Sequence, residues 1–172
     1  YVPVERTEKA GGSFSWQGES VNEGLSSGIE WIQPLGRTLA LRADGSLRKA
    51  GNVSTPRGEL INTGIQTGNV SLGLSTVHER GHIGGAIGAY RSDYSIPPDP
   101  SGGHPNGVTI DMERQHAELR AQWRGDMGIG LQTLDIHHSF SRYWHAEYED
   151  RRTLGMEFGV LTHCGAAQMR WG

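Results

Sequence analysis

Apolar and polar side chains alternate along extended stretches of this chain. In residues 37–48, Leu39, Leu41 and Leu47 occupy odd positions, and polar side chains occupy most of the even ones. Residues 81–90 repeat the same period of two. Because successive side chains of a strand point to opposite faces, this period predicts β-strands whose two faces meet different surroundings.

The period of two recurs along most of the chain, and no stretch of helical period interrupts it. It predicts strands at residues 10–18, 24–32, 37–48, 60–77, 82–94, 108–123 and 129–145, with residues 153–169 as a further strand. Several of these exceed the roughly 3–10 residues usual in globular proteins. We therefore expect an all-β fold, an antiparallel up-and-down meander of about seven or eight long strands, and interpret it as a partial transmembrane β-barrel.

The predicted connections alternate between short and long. Short turns are expected at residues 33–36, 79–81 and 125–128, and longer segments at 49–59 and 95–107. Outer-membrane barrels have short turns on the periplasmic side and long loops on the outer side. On this assignment the segments that face outward are residues 18–22, 49–59, 95–107 and 146–152.

Composition agrees with a wall that is apolar on one face only. Of 172 residues, 35% are apolar and 26 are glycine, and the mean hydropathy is -0.52. A disordered glycine-rich chain would lack the strand period and the five tryptophans. A barrel with a polar lumen needs few apolar residues. No apolar run reaches the length of about 18 residues that a membrane-spanning helix requires.

Charge and motifs argue against other classes of protein. The net charge of -3 gives no indication of a nucleic-acid partner. The single cysteine, Cys164, excludes an intrachain disulfide. Charged residues are spread along the strands without a nucleophile or positioned base beside them, and no catalytic or phosphate-binding motif is present. We therefore expect neither enzymatic activity nor a cofactor.

Charged and aromatic residues fill two expected roles in such a wall. A polar inner wall is predicted from Arg42, Arg48, Asp111, Glu113, Arg114, Glu118 and Arg120. Aromatic girdles form where barrel strands leave the membrane. An outward girdle is predicted from Tyr90, Tyr94, Tyr143, Trp144 and Tyr148.

Four segments carry a resemblance to a known family. Residues 57–63 read RGELINT, residues 90–98 read YRSDYSIPP, residues 110–120 read IDMERQHAELR and residues 139–149 read SFSRYWHAEYE. In order and spacing they resemble the barrel of TonB-dependent outer-membrane receptors. They are similar to that family's GRLPNS segment, its strand end before a Gly-Ile/Val-Pro loop, its IDLxQxRYDLxG strand and its GYTDYRHTELE segment.

The resemblance implies a function and a location. Such receptors lie in the outer membrane of Gram-negative bacteria and take up a scarce nutrient, such as a metal ion or a metal chelate, with energy delivered through TonB to an N-terminal plug. A complete receptor has that plug and a barrel of about 22 strands. Residues 1–172 resemble only the first third of the barrel, so we expect a fragment whose partners are outer-membrane lipid and the transported ligand, with TonB reached only through the absent plug.

Histidine and carboxylate residues near the predicted outward segments are candidate metal ligands. They are His104, His145, Glu147, Glu149 and Asp150. Imidazole and carboxylate groups suit zinc and similar divalent ions, and receptors for zinc uptake have similar segments. The hypothesis is that this rim captures zinc or another divalent metal as the transported ligand. The competing interpretation is that these are solvated loop residues, since they come from separate segments.

Two other functional classes remain open. The chain could be a self-contained small outer-membrane barrel with an adhesive or structural role, which predicts a folded monomer in detergent. It could also be a soluble β-rich binding module, which predicts solubility without detergent. The apolar positions Leu39, Leu41 and Leu47 argue against the soluble module.

Overall fold

The computed structural model of the chain describes residues 2–5, 8–99, 101–126, 128, 130–149 and 153–172. Its strands are β1 (Gly11–Glu19), β2 (Gly24–Leu35), β3 (Leu39–Ala50), β4 (Val53–Thr55), β5 (Gly58–Leu60), β6 (Ile65–His78), β7 (Gly81–Ile96), β8 (Val108–Arg124), β9 (Leu131–Glu149) and β10 (Thr153–Trp171). The described part of the chain contains no helix with the length and hydropathy needed to span a membrane. The expected all-β fold is confirmed.

Eight of the strands form one antiparallel sheet. Neighbours follow the order β1-β2-β3-β6-β7-β8-β9-β10, and β4 and β5 form a separate hairpin in the connection between β3 and β6. The predicted up-and-down meander is therefore confirmed. The sheet formed by the described residues is open, because β1 and β10 lie at its two edges and do not pair with each other.

The predicted end of β2 and the predicted start of β6 are wrong. Pro34 still pairs with Ala40, so the first turn starts later than predicted, at Gly36, whose φ of 78° suits glycine. A proline near a strand end removes only one ladder hydrogen bond, so pairing continues past it. The predicted strand at residues 60–77 begins only at Ile65, because Leu60 belongs to the β4–β5 hairpin.

Connections fall alternately at the two ends of the sheet, since neighbouring strands are antiparallel. One end, here called the turn end, carries the connections at residues 36–38, 79–80 and 125–130. The other, the loop end, carries those at 20–23, 51–64, 97–107 and 150–152, of which the last lies outside the described residues. The two longest connections thus share one end, as the sequence predicted.

Strand β9 extends further towards the loop end than predicted. Glu147 pairs with Ile110, and Glu149 pairs with Val108. Residues 146–149 were expected in an outward loop, and that expectation is wrong. The neighbouring strand β8 begins at Val108, so it offers backbone partners along this whole stretch.

Hydrogen bonds tie the loop-end connections to the sheet. The Asn62 side chain donates from Nδ2 to the carbonyl oxygens of Ile96 at 2.6 Å and Val108 at 3.3 Å. Asn62 has a φ of 58°, a conformation that asparagine tolerates better than most residues. The Gly51 N–H donates to the carbonyl of Asn22 at 2.8 Å. These bonds fix the long connection between β3 and β6 against its neighbours.

Candidate functional site

The strand register divides the side chains into two faces of different chemistry. One row across six strands consists of Trp31, Ala43, Leu72, Ile87, Ala117 and Phe140. The adjacent row, on the opposite face, consists of Ile32, Arg42, Gly73, Ala86, Glu118 and Ser139. We call the face that contains Trp31 the apolar face and the face that contains Arg42 the polar face.

Large apolar side chains on the apolar face are exposed on the surface of the sheet. Trp16 is 72% exposed, Phe14 is 70% exposed and Ile87 is 62% exposed. Burial of apolar surface is worth roughly 25 cal/mol per Å², and soluble monomers seldom expose contiguous apolar patches larger than about 300–600 Å². The apolar face is therefore suited to an apolar environment.

The apolar side chains of the apolar face form a continuous band across the sheet, here called the apolar band. Towards the loop end, this band ends along a defined line. On each of the five sheet strands β3, β6, β7, β8 and β9, one residue is the first charged or amide side chain that follows the band on the apolar face. These residues, here called the boundary row, are Lys49, Gln66, Arg91, Gln115 and Arg142. All five are exposed.

The boundary row runs obliquely to the strands. The residue of β9 in register with Lys49 is Ala146, which lies four residues beyond Arg142. Four residues span about 13 Å along a strand, and the four strand-to-strand steps from β9 to β3 span about 19 Å. The band is therefore inclined by about 35° to the perpendicular of the strands. Strands of transmembrane barrels are tilted by about 35–45°.

The height of the apolar band can be estimated from the length of β3 that it covers. On β3 it runs from Leu39 to Leu47, which is about 26 Å along the strand at ~3.3 Å per residue. With a tilt of about 35°, its vertical height is about 22 Å, close to the apolar band of about 25 Å found on outer-membrane barrels.

The polar face carries paired charges at its centre. The carboxylate of Glu118 contacts Arg120 and lies 3.1 Å from Nε2 of His137. On β3, Arg42 lies 3.3 Å from Glu30. Such pairing, along one strand for Arg120 and between neighbouring strands for His137 and Glu30, lets charged side chains share a partly exposed surface. Arg42, Arg48, Arg114, Glu118 and Arg120 thus lie on the polar face, as predicted for an inner wall.

Two residues predicted for the inner wall lie on the other face. Asp111 pairs with Ala146, and Glu113 pairs with Trp144, which places both carboxylates on the apolar face beyond the boundary row. Side chains at positions 111 and 113 cannot share a face with Arg114, because neighbouring residues of a strand alternate. Their placement in the inner wall is therefore wrong.

The predicted aromatic girdle is likewise divided between the faces. Trp144 lies on the apolar face just beyond Arg142, as expected. Tyr90 and Tyr143 lie on the polar face in register with Arg114, and Tyr94 lies on the same face in register with Ile110, so the prediction is wrong for all three. The tyrosines contribute instead to the polar-face surface near the loop end.

A hollow on the polar face brings Tyr90 and Tyr143 together with a cation. Its volume is about 860 Å³, and its lining includes Tyr90, Met112, Arg114 and Tyr143. Arg114 donates from Nε to the Ser141 hydroxyl at 3.1 Å, which orients the guanidinium. Aromatic rings beside a guanidinium can hold an anionic or planar ligand by stacking and by charge-assisted hydrogen bonds.

Two of the predicted metal ligands are in direct contact. His145 and Glu147 share the polar face of β9, and Nε2 of His145 lies 3.1 Å from Glu147 Oε1. Nδ1 of His145 lies 3.0 Å from the Tyr143 hydroxyl, and the ring of Phe158 stacks on the imidazole at 4.7 Å. Both ring nitrogens are therefore engaged, so a metal ion would have to displace Tyr143 or Glu147.

The other predicted ligands are not assembled around this pair. Glu149 continues the same face of β9 at the loop end, and His104 forms an isolated bridge with Asp99 in the connection between β7 and β8. Asp150 lies outside the described residues. Within the described ranges, no three His, Cys, Asp or Glu side chains are grouped so that they could hold a metal ion. The metal site stays a prediction.

Asn62 and Tyr143 have roles at the loop end that the sequence did not indicate. Asn62 is the donor that links two connections, and Tyr143 fixes one nitrogen of His145. An asparagine near a glycine-containing turn is a common signal for a left-handed conformation, but its distant partners depend on the fold. The spacing of Tyr143 and His145 by two residues does predict a shared strand face.

Comparisons with protein-family models and with curated proteins give no match for this chain. Function is therefore inferred from the chemistry of the two faces, the inclination of the apolar band and the residues at the loop end.

Proposed function

We propose that this chain forms part of the wall of an outer-membrane β-barrel, and that the barrel is a receptor of the TonB-dependent kind for energised uptake of a scarce nutrient. The observation that carries the proposal is the inclined apolar band. A band tilted by about 35° and about 22 Å high fits a wall of tilted strands in a bilayer. A soluble sheet has no reason for an exposed band of this inclination.

The strand and connection lengths support the same proposal. The strands β6 to β10 have 14 to 19 residues, more than the roughly 9–11 needed to cross a bilayer. On β7, β8 and β9 the excess length lies beyond the boundary row, at the loop end. Barrels of receptors extend beyond the outer leaflet in this way when their rim gathers ligand, and the long connections at residues 51–64 and 97–107 belong to that end.

The receptor assignment depends on the family resemblance together with the polar face. Three of the four resembling segments, residues 57–63, 90–98 and 139–149, reach the loop end. In the proposed barrel, the polar face lines the lumen and its hollow beside Arg114 lies on the path of the ligand. The proposed cargo is a metal ion, a metal chelate or a similar nutrient, and TonB would act through a plug domain.

Tryptophan fluorescence tests the membrane assignment directly. Trp16, Trp31, Trp123 and Trp144 all lie on the apolar face. We expect brominated phospholipids to quench the fluorescence of the chain folded into vesicles. A variant that retains only Trp31 should be quenched most by bromine deep in the acyl chains, because Trp31 lies mid-band. A variant that retains only Trp144 should be quenched most by bromine near the headgroup.

Two outcomes separate the alternatives. Absence of quenching in a chain that stays soluble and folded without detergent would support a soluble β-rich module and overturn the proposal. Quenching in a chain that migrates as a closed, heat-modifiable monomer would retain the membrane wall and favour a self-contained small barrel over a receptor.

Zinc binding tests the proposed cargo. We expect calorimetric titration of the chain with Zn²⁺ to show binding that His145→Ala removes and that Glu147→Gln weakens by about 10–100-fold. Tyr143→Phe should strengthen binding, because it frees Nδ1 of His145 from the hydroxyl 3.0 Å away. His78→Ala at the turn end is the control. Equal affinity in wild type and His145→Ala would exclude this histidine as a ligand.

A further inference from the structure

The boundary row has a chemical order that the apolar band alone does not require. Its members on β3, β7 and β9 are the cations Lys49, Arg91 and Arg142, and those on the strands between are the amides Gln66 and Gln115. No member is an acid. On these five strands, every side chain that ends the band therefore presents N–H donors. On the edge strand β10 the residue that ends the apolar face towards the loop end is Glu157, which accepts a hydrogen bond from Trp144 Nε1 at 2.7 Å.

Acidic residues on the same face begin only further out. Asp93 lies two residues beyond Arg91, and Glu113 lies two residues beyond Gln115. Asp111 lies two residues further again. From the band towards the loop end, the apolar face is thus ordered as apolar, then cationic or amide, then acidic. This order matches a bilayer leaflet whose headgroups carry phosphate next to the acyl region.

The cations are available to an external anion. Lys49 and Arg142 are exposed, and neither forms an ion pair in the part of the chain that the structure describes. Arg91 is exposed too, although it pairs with Asp111 at 2.9 Å and Glu113 at 3.6 Å on its outer side. Those two carboxylates hold the guanidinium at the level of the boundary row.

We infer that the boundary row binds the phosphate groups of phosphorylated lipid headgroups in the leaflet at the loop end. The inference rests on the proposed membrane function and names the lipid partner of that wall. The cations recur on alternate strands, about 10 Å apart across the sheet. That spacing suits a line of separate headgroups, each with its own cation, better than one multivalent anion. Juxtamembrane cations favour anionic lipid by about 1 kcal/mol each.

The test compares two lipids that differ only in phosphate. The full chain is folded into phosphatidylcholine vesicles that contain either bisphosphorylated lipid A or its dephosphorylated form, and retained lipid is counted by native mass spectrometry. We expect the wild-type chain to retain the phosphorylated form preferentially. The variant K49Q/R91Q/R142Q should lose that preference, with binding about five-fold weaker for each unpaired cation removed.

A matched variant on the other face controls for total charge. The control variant is R48Q/R114Q/R124Q, which removes the same charge from the polar face. It should keep the wild-type preference. If the triple boundary variant does not fold, Arg142→Gln alone provides the comparison. Insertion of every variant is checked by quenching with brominated lipid.

The outcomes distinguish this inference from the proposed function. Quenching by brominated lipid without a preference for the phosphorylated form would overturn the inference and leave the membrane wall intact. Equal loss in the boundary variant and the polar-face control would also overturn it, because the effect would then follow total charge. Failure of the wild-type chain to show any quenching would overturn the proposed function and the inference with it.

Discussion

Replacing Leu72 by arginine is expected to reduce the free energy of folding into lipid vesicles by about 2–4 kcal/mol, the penalty for a cation at the middle of a barrel's lipid-facing band. Leu72 lies mid-height in the apolar band, with Ala43 and Ile87 as its cross-strand neighbours. It is 47% exposed, so the arginine has space and no core is disrupted. The loss would come from desolvation of the guanidinium in hydrocarbon.

The matched control is the same substitution one residue away. Ser71 points to the polar face, where its cross-strand neighbours are Asp44 and Gly88. An arginine there meets the Asp44 carboxylate and, above Gly88, the imidazole of His116, a side chain that can rotate, so Ser71→Arg should cost less than about 1 kcal/mol. Since the two positions are adjacent, they share the same strand and the same height in the sheet.

Urea titration of both variants in phospholipid vesicles, followed by tryptophan fluorescence, measures the difference. A loss at Leu72 that exceeds the loss at Ser71 supports lipid contact at the apolar face. If the two variants lose equal stability, the apolar face does not meet lipid. In a soluble module, Leu72→Arg would instead improve solubility with little change in stability, because the leucine is already in contact with water.

The period of two was sufficient to predict the strands but not every boundary. Leu39, Leu41 and Leu47 alternate so regularly that β3 could be located to within two residues at either end. Glu147 and Glu149 were harder to assign to a strand, because a short polar stretch near a turn does not show an apolar period of two. They belong to β9 because β8 offers backbone partners at Ile110 and Val108.

Strand register determines the face on which each side chain lies and the inclination of the apolar band, and composition determines neither. The assignment of Asp111 to an inner wall failed although its parity relative to Arg114 was available in the sequence. The inclination of the apolar band is different, because it depends on which residue of one strand faces which residue of the next. Lys49 and Arg142 are far apart in sequence, and only the pairing through three intervening strands shows that they end the same band.

For the candidate metal ligands too, the sequence predicts neighbours within one strand but not contacts between distant segments. The spacing of His145 and Glu147 predicts a shared strand face, and the structure places them in contact. Their relation to His104 depends on the conformation of a long connection, which side-chain spacing does not determine. The sequence therefore indicated the pair but not a complete coordination sphere.

Replacing Gly84 by alanine is expected to destabilise the sheet by about 1–3 kcal/mol, because there is no room for a methyl group. A Cβ at this position would lie 2.6 Å from the Leu74 carbonyl oxygen and 2.8 Å from the Ser75 Cα. Both obstacles belong to the backbone of the paired strand, and Ser75 is only 2% exposed. The strands β6 and β7 would have to move apart or lose local hydrogen bonds.

Gly88→Ala provides a control on the same strand and the same face. Its Cβ would also meet a neighbour, the imidazole of His116, whose Nε2 lies 2.8 Å away. That obstacle is the far end of a side chain, which can rotate. Since glycine within a strand is less favourable than alanine by roughly 0.5–1 kcal/mol, Gly88→Ala should be neutral or slightly stabilising.

Equilibrium unfolding in urea, with both variants in the same vesicles, measures the contrast. A stable Gly84→Ala variant would show that β6 and β7 are further apart than the structure places them. Equal destabilisation by both substitutions would mean that His116 cannot move, and that the polar face near the centre of the sheet is packed as tightly as the strand backbones. A loss confined to Gly84→Ala identifies backbone proximity as the reason for glycine at this position.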